Sequence, residues 1–200
     1  MIRVHRIPNS TNVERVALAA GHKGIGIEWV DHDPADRSAV MELSGQGLVP
    51  VAEIGGVVVR GSMRIVDQLE ALRPEPSLLP ADPAEHARAR IFVSWFDRVW
   101  KGPPNALDTD EAPPDADGLS SRCREWTSWC DALLAGSDYL GGDRLGLADV
   151  CAFPFLKYAV IDPAPGDDDR FHAILAELLR VDAHPALDEW ARRIDALPRA

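Results

Sequence analysis

The apolar pattern of this 200-residue chain changes period once, and that change limits the folds open to it. Up to Leu72, apolar runs of strand length alternate with stretches of helical period; from Ala84 onward only the helical period remains. Between the two parts Pro74, Pro76, Pro80 and Pro83 crowd a short segment, the composition of a link between separately packed units. With 46% hydrophobic residues the chain can supply a core to each.

The first part reads as a strand over Ile2–Ile7, a helix over Thr11–His22 with Val13, Val16, Ala17 and Ala20 on one face, and a strand over Gly26–Val30. A helix over Ala35–Leu43 follows. The runs Val51–Ile54 and Val57–Val59, split by Gly55-Gly56, predict a hairpin, and Ser62–Leu72 predicts a helix with Ile65, Val66 and Leu69 inward. In the second part the spacing predicts helices over Ala84–Trp100, Leu119–Leu134, Leu147–Val160, Arg170–Val181 and Pro185–Leu197. The proline- and aspartate-rich Lys101–Gly118 stretch reads as a mobile loop. The expected organisation is an α/β domain of βαβαββα order over residues 1–73 and an all-helical domain over 84–200.

Charge and cysteine usage narrow the function. A net charge of −11, with no lysine or arginine cluster to offset it, repels a phosphate backbone and argues against a nucleic-acid partner. The uncharged apolar runs are shorter than the ~20 residues of a membrane span, and Met1 leads into a strand pattern without the apolar stretch of a signal peptide. No membrane association and a cytoplasmic protein are therefore expected. Cys123, Cys130 and Cys151 lack the two-residue spacing of redox dithiols and zinc ribbons, so neither a disulfide framework nor a metal is expected. Cys123 and Cys130, seven apart on one helix face, read as small buried hydrophobes.

Three short segments carry chemistry. Val49-Pro50 opens the hairpin; a proline there is either the trans start of an edge strand or a cis bond that turns the Val49 amide and carbonyl outward, toward an extended peptide. Ser62 stands at the start of the next helix, flanked by Arg60 and Arg64, which either favour an anionic ligand or remain solvated. Thr11-Asn12-Val13-Glu14 has the form of a capping box that would leave the preceding Ser10 hydroxyl free, unless Ser10 is itself the cap. A free hydroxyl beside a helix N-terminus can donate to an anionic sulfur. A charge-assisted hydrogen bond of about 1.5–3 kcal/mol, with about 0.3–1 kcal/mol from the helix end, would lower a thiol pKa from about 8.5 by roughly one to two pH units. The thiolate is the form that attacks an electrophile.

Ser10-Thr11-Asn12 with Arg15-Val16-Ala17-Leu18 and Lys23-Gly24-Ile25, then Val49-Pro50, Gly61-Ser62 and Gly146-Leu147-Ala148-Asp149, resemble the soluble, cytosolic-type glutathione S-transferase family, in particular its bacterial serine-type members. The resemblance runs over essentially the whole chain. It implies a thioredoxin-like N-terminal domain followed by an all-helical C-terminal domain, a homodimer, and glutathione as co-substrate for attack on a small hydrophobic electrophile. It implies that Ser10 is the catalytic hydroxyl, that Val49 and Pro50 meet the tripeptide backbone, and that Gly61 and Ser62 lie at its γ-glutamyl end. It makes Asp149 the capping residue of the second domain's central helix. Isomerisation, dehalogenation or ether cleavage with the same thiol fit equally well.

Two positions depart from the family pattern. Gly61 stands where an acidic residue usually pairs with the γ-glutamyl ammonium, and Leu48 where a lysine or glutamine often meets the glycyl carboxylate; Gln46 is close but out of register. These departures favour an alternative, a non-catalytic binding or scaffolding protein on the same fold. The stripe Phe92, Trp95, Phe96, Val99 and Trp100 is core, or in part, through Trp95, Phe96 and Trp100, the lining of a pocket for the electrophile.

Overall fold

The structure, a computed structural model, describes residues 1–109 and 113–200. It divides into two compact units, one formed by Met1–Leu78 with Leu197–Ala200 and the other by Leu79–Ala196.

The first unit runs β1 (Ile2–Arg6), α1 (Thr11–Lys23), β2 (Glu28–Asp31), α2 (Ser38–Ser44), β3 (Val51–Ile54), β4 (Val57–Arg60) and α3 (Ser62–Leu72). The sheet order is β2-β1-β3-β4, with β1 parallel to β2 and both other pairs antiparallel. This is the thioredoxin-like arrangement. Val4, paired with Trp29 on one side and Ala52 on the other, is wholly buried together with Val16, Ala20, Ile65, Val66 and Leu69. The strand β2 starts later than the pattern suggests, because Arg3 pairs with Glu28 and the ladder has no earlier partner for Gly26. The helix α2 is also delayed: the carboxylates of Asp33 and Asp36 accept from the Ala35 and Ser38 amides, forming turns that use those amides before a helix can.

The proline-rich segment is not a loose link. Lys23, fully buried, places its Nζ 2.6 Å from the Glu70 carboxylate and donates to the carbonyls of Arg73 (2.8 Å) and Pro76 (2.9 Å). Glu70 in turn accepts from the Ser77 hydroxyl and the Leu78 amide. The last residues return to the same unit: the Ala200 amide donates to the Ala17 carbonyl, Trp29 Nε1 donates to the Ala200 carbonyl, and Arg199 pairs with Glu14. Gly21 makes room for this tail, since a Cβ there would lie 2.2 Å from the Pro198 carbonyl oxygen.

The second unit is helical: α4 (Pro83–Trp95), continued by a π-helical turn (Phe96–Trp100), then α5 (Gly102–Leu107), α6 (Ala116–Leu134), α7 (Leu147–Leu156) with a 3-10 turn (Lys157–Ala159), α8 (Arg170–Leu179) and α9 (Pro185–Asp195). Every residue of α7 is buried, which makes it the centre of this unit's core. The expected loop over Lys101–Gly118 is corrected at both ends, its residues 110–112 lying outside the described residues. Pro103 and Pro104 fall in the first turn of α5, where a missing N–H costs nothing, so the pair opens a helix there.

Cys123, Cys130 and Cys151 are fully buried, and burial pushes the thiols of Cys123 and Cys130 up to about 12. At neutral pH both are expected to resist alkylation in the native protein and to react once it is unfolded. Mass spectrometry before and after addition of denaturant tests this; labelling of either in the native protein would contradict it.

Candidate functional site

Ser10 follows a tight turn in which Asn9 adopts a left-handed conformation (φ 66°), one that asparagine tolerates, and the Ser10 amide donates to the Ile7 carbonyl. The helix opens one residue earlier than the capping-box reading expects. The Ser10 carbonyl accepts the first intrahelical bond, from Glu14, and Thr11 is a buried helical residue. Ser10 is therefore the cap by backbone position, yet its side chain makes no cap bond. No hydrogen bond among the described residues engages its hydroxyl, which stands half-buried at the positive end of α1.

The Val49-Pro50 bond is cis. The segment leading to it is held by arginines: Arg37 donates to the Gly47 carbonyl and Arg60 to that of Ser44, while Gln46 Nε2 bonds the Leu48 carbonyl. The Leu48 side chain itself is exposed. Gly61 caps α3 with φ 89°, a left-handed geometry that favours glycine although nothing lies within 4 Å of where a Cβ would stand. Ser62, the first residue of α3, is buried. Its Oγ accepts from Arg15 Nη1 at 3.3 Å and lies 3.5 Å from Asn12 Oδ1, which accepts from the same Arg15 nitrogen at 3.3 Å. Arg15 is 1% exposed, a buried cation beneath the start of α3. The sequence reading does not single it out; the signal was an arginine within the buried stretch of α1.

In the helical unit the three aromatic candidates separate. Trp95 lines an apolar groove of about 620 Å³ with Phe92, Ile91, Trp126, Trp129 and Leu133. Phe96 and Trp100 are wholly buried, their rings stacked 4.5 Å apart with Phe155 edge-on, and so pack as core. Asp149 is also fully buried: its carboxylate accepts from the amides of Leu140 (2.8 Å) and Gly146 (2.9 Å) and from Trp190 Nε1 (2.8 Å). Burial raises its pKa to about 6 against the pull of these bonds. Among the described residues no cluster of three or more His, Cys, Asp or Glu is placed to hold a metal ion, and no helix is long and apolar enough to cross a membrane.

A thioredoxin-like unit with a cis-proline before β3 and a buried serine opening α3 is thus joined in one chain to an all-helical unit. Residues 4–77 match the family model for the glutathione S-transferase N-terminal domain and residues 128–193 that for the C-terminal domain. The chain belongs to the glutathione S-transferase family. It is 28% identical over 180 residues to FtsZ-localized protein A of Caulobacter vibrioides, covering 80% of this chain and 76% of that protein. It is 26% identical over 155 residues to a probable glutathione S-transferase of Nicotiana plumbaginifolia, covering 72% and 67%. The solved structure of a Tau class glutathione S-transferase from mango (Mangifera indica) superposes with a TM-score of 0.80 at 18% identity, over 98% of this chain and 89% of that one.

Proposed function

We propose that the protein is a glutathione S-transferase that lowers the pKa of the glutathione thiol and directs the thiolate onto a small hydrophobic electrophile. The observation that carries this reading is the Ser10 hydroxyl, which has no hydrogen-bond partner among the described residues and sits at the N-terminus of α1. In this reading the hydroxyl donates to the sulfur, the backbone of Val49 beside Pro50 pairs with the tripeptide, and Ser62, presented by Gly61, holds the γ-glutamyl carboxylate. The sulfur then forms a bond to the electrophilic carbon, whose leaving group departs with the electron pair, and Ser10 keeps its own proton. Trp95 is the one aromatic of the three on an open apolar surface, and the reading places the electrophile against such a surface. Family membership supports two copies associating as a homodimer, and a cytoplasmic location belongs to the same reading.

Ser10→Ala is expected to reduce kcat/KM for conjugation by about 10- to 100-fold, the worth of one charge-assisted hydrogen bond, with glutathione affinity nearly unchanged. Steady-state kinetics with a chromogenic aryl halide measure it, and full activity in the variant would remove Ser10 from the mechanism.

A second reading, a binding protein without conjugation chemistry, is favoured by Gly61, which offers no carboxylate, and by the exposed apolar Leu48. The likeness to FtsZ-localized protein A, whose name gives a location and no reaction, supports it too. Calorimetric titration decides: absence of glutathione binding at millimolar concentration favours the binding protein.

A further inference from the structure

We propose that Arg199 is a positioning residue of the reaction: by pairing with Glu14 it offsets the acidic side chain in the first turn of α1, so that this helix end keeps its attraction for the sulfur anion beside Ser10. This rests on the reading of Ser10 as donor to the thiolate and deepens it by naming a second side chain that sets how readily the thiol ionises.

Glu14, Ala17 and Gly21 recur at intervals of three and four and so form one stripe of α1, apart from Val13, Val16 and Ala20, which pack in the core. The segment 197–200 lies along that stripe, within the same compact unit. Gly21 leaves room for the Pro198 carbonyl, the Ala200 amide donates to the Ala17 carbonyl at 3.1 Å, and Arg199 Nη2 donates to Glu14 Oε1 at 3.3 Å. The guanidinium is itself held, since its Nη1 donates to the Leu197 carbonyl at 2.7 Å, and Trp29 Nε1 fixes the Ala200 carbonyl from β2 at 3.0 Å. The Arg199 and Glu14 side chains are 25% and 19% exposed, so solvent screens this pair less than it screens an ion pair on the open surface.

A carboxylate in the first turn of a helix is favourable while that end holds no other anion, because it meets the partial positive charge there. A thiolate brought to the same end turns that carboxylate into a like charge at short range. Glu14 is one turn from Ser10, whose carbonyl accepts the Glu14 amide at 3.0 Å, and helical side chains lean toward the N-terminus, which brings the carboxylate toward the sulfur. The neighbouring cation Arg15 is directed to Asn12 and Ser62. Arg199 reaches Glu14 from a position 185 residues later in the chain, carried there by a backbone seated on α1.

The test measures the thiol pKa of bound glutathione in the full chain, by ultraviolet absorbance of the thiolate. Arg199→Ala is expected to raise it by about half to one pH unit, a roughly threefold to tenfold loss of thiolate at lower pH, and to move the acid limb of the kcat/KM profile upward by the same amount. Arg199→Lys is expected to keep the wild-type value, and Glu14→Gln combined with Arg199→Ala to restore it. Glu14→Gln alone leaves the backbone bonds of residues 197–200 in place and is expected to lower the value, which tests the charge separately from the seating of the segment. A thiol pKa unchanged in Arg199→Ala, or raised there and not restored by Glu14→Gln, overturns the proposal, and the Ser10 reading stands if Ser10→Ala raises the pKa. If glutathione fails to bind at millimolar concentration, or neither Ser10→Ala nor Arg199→Ala moves the thiol, both fall.

Discussion

Lys23→Met is expected to cost about 3–5 kcal/mol of folding stability, because it leaves a largely buried carboxylate, 13% exposed, without its fully buried cation. The Lys23 ammonium is 2.6 Å from Glu70 and also satisfies the Arg73 and Pro76 carbonyls, so one side chain closes the end of α1 against the segment that follows α3. Its loss strands the Glu70 carboxylate and both carbonyls at once. Urea denaturation of the variant measures the loss, and hydrogen exchange should show residues 73–78 opening well before global unfolding. Changing Glu70 to leucine in the same molecule should recover part of the stability, since a buried apolar pair avoids the desolvation that an unpaired charge suffers. A Lys23→Met protein as stable as the wild type would show that this contact does not hold the segment.

Asp149→Ala is expected to be of similar size, about 3–5 kcal/mol, for a different reason: it removes the common acceptor of three donors, the part-buried Leu140 and Gly146 amides and the buried Trp190 indole. The Gly146 bond is local capping, whereas the other two tie a loop and the helix α9 to the start of α7. The pH dependence has a definite sign. The folded protein raises this carboxyl from 3.8 to about 6, so it holds the proton more tightly than the unfolded chain does. That increment of stability is fully present below pH 3.8 and is lost as pH rises through about 6. The advantage of wild type over Asp149→Asn should therefore shrink between about pH 4 and pH 6 and stay level above. Melting curves at a series of pH values test this; an advantage that grows across the same range would contradict it.

The residues differ in how much of their role the sequence discloses. The hairpin and α3 are legible because their signals are local: Gly55 and Gly56 adopt φ of 58° and 83° at the turn, and the apolar spacing of Ile65, Val66 and Leu69 fixes the helix face. The Ser62 start of α3 follows from the same spacing. Asp149 is legible as a cap, but its bond to Trp190 spans 41 residues and no local pattern encodes it. The Arg15–Ser62 bond spans 47 residues and exists only once α1 and α3 are packed together. Lys101–Gly118 misleads because its prolines mark a loop by composition, while their position in a first turn makes them helix-compatible. Phe96 and Trp100 share the apolar stripe with Trp95, and periodicity alone does not separate a ring in the core from one lining a groove.

Everything proposed for catalysis depends on the Ser10 hydroxyl, which finds no acceptor or donor among the described residues and stands at the head of α1 for a sulfur anion. The most direct measurement is the pKa of the thiol while glutathione is bound, followed by ultraviolet absorbance of the thiolate in wild type and in Ser10→Ala. The wild type should ionise bound thiol roughly one to two pH units below its free value of about 8.5, and the variant should return it close to that value. Equal thiol pKa values in the two proteins, with glutathione bound in both, would contradict the mechanism.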